Sequence, residues 1–217
     1  LGQSTLHLLD GDLSGSVTGN DNQGNIVVGG GLIFDQKDIF EELNSVTVME
    51  GSVFNSYHEL EALSIQIDDD STFAINDGAI IDADIYGYSN GVGNFDVKSD
   101  YSSSKLVGKY GNSLENVNVG SGATFSYGNA IYANNVNVAG IIDISNANIT
   151  INGNINGFAG GVIEAGNRNH IVENNMILES GTILKLSVKN AKSGSFSILG
   201  ELSLENGVGL ELDMSQN

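Results

Sequence analysis

In this sequence the carboxylates, by their number and spacing, are the best candidates for a chemical role such as metal binding. Asp68, Asp69 and Asp70 follow one another, and hard carboxylate oxygens are the ligands that Ca²⁺ prefers. Consecutive residues of a strand point to opposite faces, so three neighbours rarely converge on one ion. We therefore interpret this run as a solvated turn between two strands. Residues 20–25 (NDNQGN) lack the spacing and closing glutamate of a Ca²⁺ loop and also read as a turn.

Histidine, arginine and serine give no catalytic signature. His7, His58 and His170 lie far apart, without the spacing of metal ligands. The only arginine, Arg168, stands two residues before His170, a pair that could anchor an anionic sugar. Its neighbours are turn formers, which favours a surface turn after Gly166. The run 102–104 (SSS) has no nucleophile-elbow motif, and 27 acidic residues make any search for a glycosidase carboxylate pair uninformative. We predict no catalytic residues, no metal site and no cofactor.

Alternating apolar and small polar residues dominate the elements that would have to position any site. The runs at 136–138 (VNV), 142–144 (IDI) and 148–155 (NITINGNI) are clear examples. A period of two places one set of side chains on one face of a sheet. Proline, which removes a ladder donor, is absent from all 217 residues. We therefore predict a long stack of short strands. Asparagines at matching positions could form internal or external amide ladders: Asn116, Asn118, Asn135, Asn137, Asn146, Asn148, Asn152 and Asn154.

An imperfect repeat organises these strands. A Val/Ile-x-Val/Ile strand, a short polar break with glycine, and a second strand beginning Gly-(Ala/Ser/Thr)-x-(Phe/Leu) recur, with variations, as VTVMEGSVF at 46, VNVGSGATF at 117, ILESGTILKL at 177 and LSLENGVGLEL at 202. Repeats of this size are typical of solenoids, in which one coil cannot bury its apolar face alone. A β-sandwich is the alternative, since it also has short strands at regular spacing. Only residues 35–43 (DQKDIFEEL) suggest a helical turn, with Asp35 as its cap.

Composition narrows the class of protein and of partner. The formal net charge is −19, which argues against nucleic acid, heparin-like polymers and anionic membranes as partners. Cysteine and tryptophan are absent, so we expect a thin core of Val, Ile and Leu held without disulfides. No stretch approaches the ~18 apolar residues of a membrane-spanning helix. Because Leu1 is not a start methionine, we expect the chain to be an excised or processed piece of a longer protein.

Residues 86–113 change character and are rich in Tyr, Ser, Gly and Lys. We predict that they form a long excursion from the scaffold, with a hairpin around residues 95–97. Exposed tyrosines suit recognition, so we predict a partner contact surface there. Its candidate residues are Tyr86, Tyr88, Tyr101 and Tyr110.

The repeat texture, with Gly-Ala-Thr-Phe-like phrases after V-x-V strands and the joint Asn152-Gly153-Asn154, resembles the passenger domains of bacterial autotransporters. Within that group it is similar to rickettsial surface cell antigens. The resemblance covers most of residues 1–217 and is clearest after 114. It implies a right-handed parallel β-helix forming a single solenoid passenger, exported to the surface of a Gram-negative cell. It also implies a separate C-terminal membrane barrel in the parent protein.

Two functional hypotheses follow. The first is a non-enzymatic surface passenger that contributes to virulence through adhesion. Its partners would be a host-cell surface protein or glycan, or neighbouring copies in a surface layer. The second is a carbohydrate-active β-helix enzyme, either a lyase or a hydrolase, which would need acids clustered along one face. The missing catalytic motif favours the first, and the small number of basic residues argues against an enzyme for acidic polymers.

Overall fold

The chain is an all-β protein built from stacked parallel strands. A computed structural model describes residues 4–9, 13, 15–189 and 192–216, and these contain 24 strands and no helix. The strands of successive coils pair in parallel and the pair between residues 183–189 and 192–193 is a local antiparallel hairpin, whereas a β-sandwich is built from antiparallel pairs throughout. The predicted parallel β-helix, or β-solenoid, is therefore confirmed, and the β-sandwich alternative is wrong.

Most strands are short, as the alternating pattern predicts. The first ten strands are β1 (Thr5–Leu8), β2 (Val17–Thr18), β3 (Gly24–Val28), β4 (Ile33–Gln36), β5 (Phe40–Val48), β6 (Val53–Ser56), β7 (Glu59–Ile67), β8 (Thr72–Ile75), β9 (Ile80–Gly87) and β10 (Asn94–Val97). The next seven are β11 (Tyr101–Ser103), β12 (Leu114–Val119), β13 (Thr124–Tyr127), β14 (Ile131–Val138), β15 (Ile141–Asp143), β16 (Thr150–Gly157) and β17 (Val162–Gly166). The last seven are β18 (Asn169–Val172), β19 (Met176–Leu178), β20 (Ile183–Lys189), β21 (Lys192–Ser193), β22 (Ser195–Ile198), β23 (Leu202–Leu204) and β24 (Gly209–Gln216).

Two compact units divide the chain. Unit 1 consists of Leu1–Asp96 and Lys105–Glu115, and unit 2 of Val97–Ser104 and Asn116–Asn217. In unit 1, strands β1, β3, β5, β7 and β9 follow one another in one parallel ladder, and β4, β6 and β8 in another. In unit 2, the ladders are β13, β15, β17, β20 and β24, and β14, β16 and β19 with β23. Each unit is thus a solenoid whose strands pair with the strands of the next coil.

Tight turns of the predicted repeat connect the strands. Ser52 N donates to Met49 O at 3.0 Å, and Ala123 N donates to Gly120 O at 3.0 Å. The third residue of each turn is a glycine with positive φ, 74° at Gly51 and 83° at Gly122. Only glycine adopts this conformation without strain. The glycine in each repeated phrase is therefore the residue that closes the coil, and the strand-turn-strand repeat is confirmed.

Aromatic rings contribute more to the core than the sequence indicates. In unit 1, Phe54 lies between Phe34 and Phe73, with ring centroids 5.2 and 5.6 Å apart. The same three residues are register partners on β4, β6 and β8, so identical side chains stack from coil to coil. The expectation of a purely aliphatic interior is wrong, because a parallel ladder lets one narrow column accept a ring at every level.

The helical turn predicted at residues 35–43 is also wrong. Residues 35–36 end β4, residues 37–39 connect the two strands, and residues 40–43 begin β5, whose register shifts between Phe40 and Leu43. Glu42 has a φ of 53°, and Phe40 and Leu43 are both buried. An extra residue in the strand turns both side chains inward at a spacing of three. The bulge therefore imitates the spacing of a helix face in the sequence.

The region 86–113 contains regular strands as well as an irregular segment. Strands β10 and β11 lie inside it, and residues 95–97, where a hairpin was predicted, belong to β10. Asn94 N donates to Ser71 O, the bond expected beside β8 in a parallel ladder. A hairpin does occur further on, at Lys109 and Asn112, which form an antiparallel bridge. The irregular segment, residues 104–113, still makes one parallel bridge between Val107 and Ile85, and the loop at 88–93 also departs from the coil pattern.

Candidate functional site: an exposed tyrosine surface

Three of the four candidate tyrosines lie in unit 1, near the end of β9 and on the hairpin that follows β11. Tyr110 is 92% exposed and Tyr88 is 54% exposed, while Tyr86 is half-buried. The Nζ of Lys109 lies 3.4 Å from the ring centroid of Tyr86, which is a cation–π contact. We call Tyr86, Tyr88, Lys109 and Tyr110 the tyrosine surface.

A two-residue turn presents Tyr110. Asn112 N donates to Lys109 O at 3.0 Å, and Lys109 N donates back to Asn112 O at 3.4 Å. Gly111, the second residue of the turn, has a φ of 81°. Glycine favours the conformations that two-residue hairpin turns need. The sequence Lys-Tyr-Gly-Asn at 109–112 therefore places a tyrosine at the tip, where nothing covers its ring.

Side-chain hydrogen bonds hold the base of this hairpin. The Nδ2 of Asn112 donates to Gly87 O at 3.2 Å and to Tyr88 O at 3.0 Å. Gly87 N donates to Asn112 O at 3.2 Å. A Cβ on Gly87 would lie 2.4 Å from Ser113 O, so only glycine fits beneath the hairpin. The tyrosine surface is consequently ordered by its own base before any partner is bound.

A second set of bonds fixes the loop that follows Tyr88. Gly91 N donates to both the backbone oxygen and the Oγ of Ser113, each at 2.9 Å. Ser113 Oγ in turn donates to the Oδ1 of Asn90 at 2.9 Å. The loop and the hairpin therefore act as one platform, although neither belongs to the regular coil.

An ion pair attaches the start of the irregular segment to β9. The Nζ of Lys105 lies 2.6 Å from the Oδ1 of Asp82, and Leu106 N donates to the Oδ1 of Asp84 at 3.0 Å. The hydrogen bond to Asp82, opposed by partial burial and aided by the charges of Asp82, Asp84 and Glu61, raises the pKa of Lys105 above its ordinary value. Lys105 thus remains charged at neutral pH and neutralises part of an acidic face.

Tyr101 does not belong to the tyrosine surface. It is 7% exposed, and its ring stacks on Phe125 with centroids 5.8 Å apart and an interplanar angle of 8°. The expectation that Tyr101 is exposed is therefore wrong, because in β11 its side chain faces the core of unit 2. Tyrosine content alone does not distinguish an exposed surface from the buried core. The alternation of Tyr101 with Ser102 is the sequence signal that could have done so.

Lys109 and Asn112 were missed as functional residues by the sequence reasoning. Their signal is the tyrosine-glycine pair between them, which marks a two-residue turn. The predicted solvated turn at Asp68–Asp70 is present, with Ser71 N donating to Asp68 O at 3.2 Å. Within the described residues no group of three or more His, Asp or Glu side chains is arranged to hold a metal ion.

The predicted amide ladders run along the outer face of unit 2. In one column, Asn135 Nδ2 donates to Asn116 Oδ1, and Asn154 Nδ2 donates to Asn135 Oδ1, each at 3.1 Å. In the second column, Asn137 Nδ2 donates to Asn118 Oδ1 at 2.8 Å. These side chains are half-buried and alternate with buried apolar residues. The external ladder is a structural device, because the amides satisfy one another.

Other asparagines of the prediction have different roles. Asn156 extends the second column by donating to Asn137 Oδ1 at 2.9 Å, although the sequence prediction omitted it. The Oδ1 of Asn148 accepts a bond from Asn169 N at 2.9 Å. Asn146 is exposed at the edge of a polar groove. Which asparagines join the ladder is thus decided by register, because only strands in direct pairing bring amides within bonding distance.

A polar groove in unit 2 is a second candidate binding feature, beside the tyrosine surface of unit 1. Its volume is about 360 Å³, and four of its seven lining residues are serines. The lining residues are Ser102, Ser103, Ser104, Ser126, Tyr127, Gly128 and Asn146. Tyr127 is buried and donates its hydroxyl to Ala130 O, so its ring is not presented to the groove as a stacking platform. The groove offers hydrogen-bonding groups without a charged centre.

His170 lies inside unit 2. It belongs to β18, is 1% exposed, and its Nε2 lies 2.8 Å from Ala165 O. The surface turn predicted for residues 168–170 is therefore wrong at this residue, although Arg168 is exposed. Burial lowers the pKa of His170 below its ordinary value, against the opposing effect of the bond to Ala165. A neutral, buried imidazole is a packing residue here.

Comparison of this chain with known proteins assigns it to no family. No protein-family model, no curated protein and no solved structure matches this chain. The described part of the chain also has no helix long and apolar enough to cross a membrane. The autotransporter resemblance therefore stays a prediction, and the proposed function rests on the geometry of the tyrosine surface.

Proposed function

We propose that this chain is part of a bacterial cell-surface passenger protein and that it makes non-enzymatic contact with a host-cell surface. The tyrosine surface is the proposed point of contact, and its partner is a host-cell surface protein or glycan. One observation carries the proposal: Tyr110 is 92% exposed at the tip of a hairpin whose base is held by several hydrogen bonds.

Ordered, exposed aromatic rings are costly to keep in water and favourable to bury. Tyrosine supplies a large apolar ring with a polar end, and it is enriched at protein interfaces. A side chain on a braced loop loses less conformational entropy on binding than one on a mobile loop. Tyr88 and Tyr110 meet both conditions, because Tyr88 O accepts a bond from Asn112 Nδ2 and Tyr110 lies in the turn closed by the two bonds between Lys109 and Asn112.

The charge of the chain supports a selective partner. A formal charge of −19 repels nucleic acid and anionic membranes, so adhesion through general electrostatic attraction is disfavoured. The same charge opposes association between copies. At the tyrosine surface, however, Lys109 covers the face of Tyr86 and adds a positive group. The proposed partner is therefore recognised by aromatic contact and hydrogen bonding.

Binding of the purified, labelled chain to cultured eukaryotic cells tests the contact role. The double variant Tyr88→Ala/Tyr110→Ala should weaken binding by about 30-fold or more, since central tyrosines are typical hot spots worth about 2 kcal/mol or more. Tyr57→Ala is the matched control, because Tyr57 is 39% exposed in unit 1 and lies outside the tyrosine surface. Equal binding by the double variant and the control would refute the contact role.

The surface location has its own test. Protease treatment of intact bacteria that express the parent protein should remove this segment while cytoplasmic markers survive. Protection of the segment until the cells are lysed would contradict the proposed location, whatever the outcome of the binding experiment.

A carbohydrate-active protein is the second candidate, and the hydroxyl-lined groove of unit 2 favours it. Ser102, Ser126 and Asn146 present groups that hydrogen-bond sugar hydroxyls. Release of reducing ends from a polysaccharide panel would support this function. Unchanged polysaccharides would leave the contact role as the better account.

A further inference from the structure

The polar groove of unit 2 presents hydroxyl groups that the fold itself does not use. Ser102, Ser104 and Ser126 line it, and no hydrogen bond within the described part of the chain involves their hydroxyls. The side-chain amide of Asn146 at the same groove also has no partner among the described residues. In the amide ladder of unit 2, by contrast, neighbouring side chains bond to one another. The groove therefore keeps donors and acceptors that can bond to a ligand.

Strand register sets the spacing of two of these hydroxyls. Ser102 of β11 and Ser126 of β13 are direct partners in a parallel ladder. Their neighbours Tyr101 and Phe125 are buried, so the alternation of a strand turns both serines outward. Neighbouring strands lie ~4.8 Å apart, a separation that two hydroxyls of one pyranose ring can span. The pair thus offers two hydrogen-bonding groups to a single sugar unit.

A second hollow adjoins the polar groove at these two serines. It has a volume of about 280 Å³, and its lining adds Asp100 and Thr124 to Ser102 and Ser126. Thr124 N donates to the Oδ1 of Asp100 at 2.8 Å, which fixes the carboxylate at the edge of the hollow. Sites for small molecules start at about 300 Å³. The groove of about 360 Å³ and the adjoining hollow together reach the size of a site for a short oligosaccharide.

Gly128, which lines the polar groove, is a glycine that neither the backbone nor the packing requires. Among the described glycines it alone has neither a positive φ nor a heavy atom within 4 Å of the position that a Cβ would take. One of these constraints is present elsewhere in the coils, as at Gly122 with its φ of 83° and at Gly153, whose Cβ would collide with Ala133 O. A side chain at position 128 would extend into open space at the groove. Its absence keeps the groove clear for a ligand.

The charges around the groove restrict the class of ligand. Asp100 is a carboxylate, and the lining of the groove and of the adjoining hollow contains no lysine or arginine. Asp143 is the register partner of both Ser126 and Glu164, so the same outward column continues with two carboxylates. The cation of the next coil, Lys185, is paired with Glu164 at 3.0 Å. An anionic sugar is therefore disfavoured, whereas the hydroxyls of an uncharged sugar can donate to these oxygens.

We propose that the polar groove and the adjoining hollow form a binding site for an uncharged oligosaccharide or polysaccharide chain. Ser102 and Ser126 bond to the hydroxyls of one sugar unit, Asn146 bonds to the same chain in the groove, and Asp100 accepts from a hydroxyl in the hollow. The inference rests on the carbohydrate-active candidate proposed above and narrows its ligand to uncharged chains, and it does not require that the chain is cleaved. It is separate from the tyrosine surface of unit 1.

Titration of the purified chain with sugar hexamers tests the proposal. The probes are the uncharged hexamers of glucose, mannose and N-acetylglucosamine, with an anionic galacturonate hexamer for comparison. At least one uncharged hexamer should shift the amide resonances of residues 102–104 and 126–128 in two-dimensional NMR spectra, and calorimetry gives its dissociation constant. The galacturonate hexamer should bind about ten-fold or more weakly, because the groove offers it carboxylates without a free cation.

Two variants and a matched control locate the site. Gly128→Gln places a side chain in the open groove without strain, and Ser102→Ala/Ser126→Ala removes the paired hydroxyls. Each should weaken binding of the hexamer by about ten-fold or more, and urea denaturation checks that both variants remain folded. Ser121→Ala should bind like the parent, because Ser121 is exposed in unit 2 and lines neither the groove nor the hollow.

Three outcomes would overturn the proposal. The first is the absence of shifts at these residues with every uncharged hexamer, and the second is equal or tighter binding of galacturonate. The third is binding that survives in both groove variants but is lost in Tyr88→Ala/Tyr110→Ala, which would assign the sugar to the tyrosine surface. Binding at the groove without release of reducing ends would support the inference and speak against an enzyme. None of these outcomes decides the attachment to host cells, which the cell-binding experiment measures.

Discussion

The tyrosine surface of unit 1 and the asparagine ladder of unit 2 use outward-facing polar residues in opposite ways. In the ladder, Asn135 and Asn137 bond to asparagines of neighbouring coils, so the polar groups satisfy one another. Beside the tyrosine surface, the side chain of Asn112 donates to the backbone oxygens of Gly87 and Tyr88, while the rings of Tyr88 and Tyr110 stay exposed. The regular coil therefore uses its side chains for stability, while the irregular segment uses its backbone bonds to display side chains.

The largest effect should come from the aromatic column inside the coils. Phe54 is completely buried between Phe34 and Phe73, and Phe54→Ala should lower the free energy of unfolding by about 3–5 kcal/mol. Urea denaturation measures the change. Ile33→Ala is the control, because Ile33 is 69% exposed and its truncation should cost at most about 0.5 kcal/mol. Equal costs for the two variants would mean that the stacked rings do not carry the stability of the coils.

The amide ladder should show a smaller loss. Asn137 donates to Asn118 at 2.8 Å and accepts from Asn156 at 2.9 Å, so Asn137→Ala should lower the free energy of unfolding by about 1–2 kcal/mol. Asn146→Ala should have little effect, since Asn146 is exposed outside the columns. If both variants unfold at the same denaturant concentration as the parent, the ladder does not contribute to the stability of the fold.

A pH effect should arise from His170. Its pKa in the folded chain lies below the ordinary value of 6.5, so the unfolded chain takes up the proton first as the pH falls. This contribution is complete above pH 6.5 and declines below it, at up to about 1.4 kcal/mol per pH unit. His170→Phe should remove that part of the slope, as measured by urea denaturation at several pH values. Identical slopes for parent and variant would contradict the buried neutral imidazole.

The smallest effect should come from the ion pair between Lys105 and Asp82. Both side chains are largely exposed, so Lys105→Gln should cost about 1 kcal/mol or less, and the difference should shrink in high salt. Because the pKa of Lys105 is raised in the folded chain, its contribution persists at neutral pH and disappears only under strongly alkaline conditions. A salt-independent loss would indicate that Lys105 acts through packing.

Much of the scaffold could be predicted from the sequence because parallel coils repeat their chemistry. Val46 lies near the end of β5 and Val117 near the end of β12, each strand is followed by a glycine turn, and local periodicity was sufficient to recognise both. The bulge at Glu42 could not be predicted in the same way. Its extra residue creates the spacing of a helix, and only the pairing with neighbouring coils reveals the strand.

The candidate site was harder to predict than the scaffold, for a physical reason. Tyr88 and Tyr101 are each followed by serine, yet one is exposed and the other is buried. Their difference depends on which coil each backbone pairs with, a long-range property. The hairpin at Lys109 and Asn112 had a local signal in its tyrosine-glycine turn, but its bracing by Asn112 depends on contacts over more than twenty residues.

One measurement tests most directly whether the tyrosine surface serves binding while the asparagine ladder serves stability. Binding to host cells and the free energy of unfolding should be measured together for Tyr88→Ser/Tyr110→Ser and for Asn137→Ala. We predict that the tyrosine variant loses most of its binding and unfolds like the parent, while the asparagine variant loses stability and binds normally when folded. A tyrosine variant that binds like the parent, or one that unfolds as readily as the asparagine variant, would contradict the account.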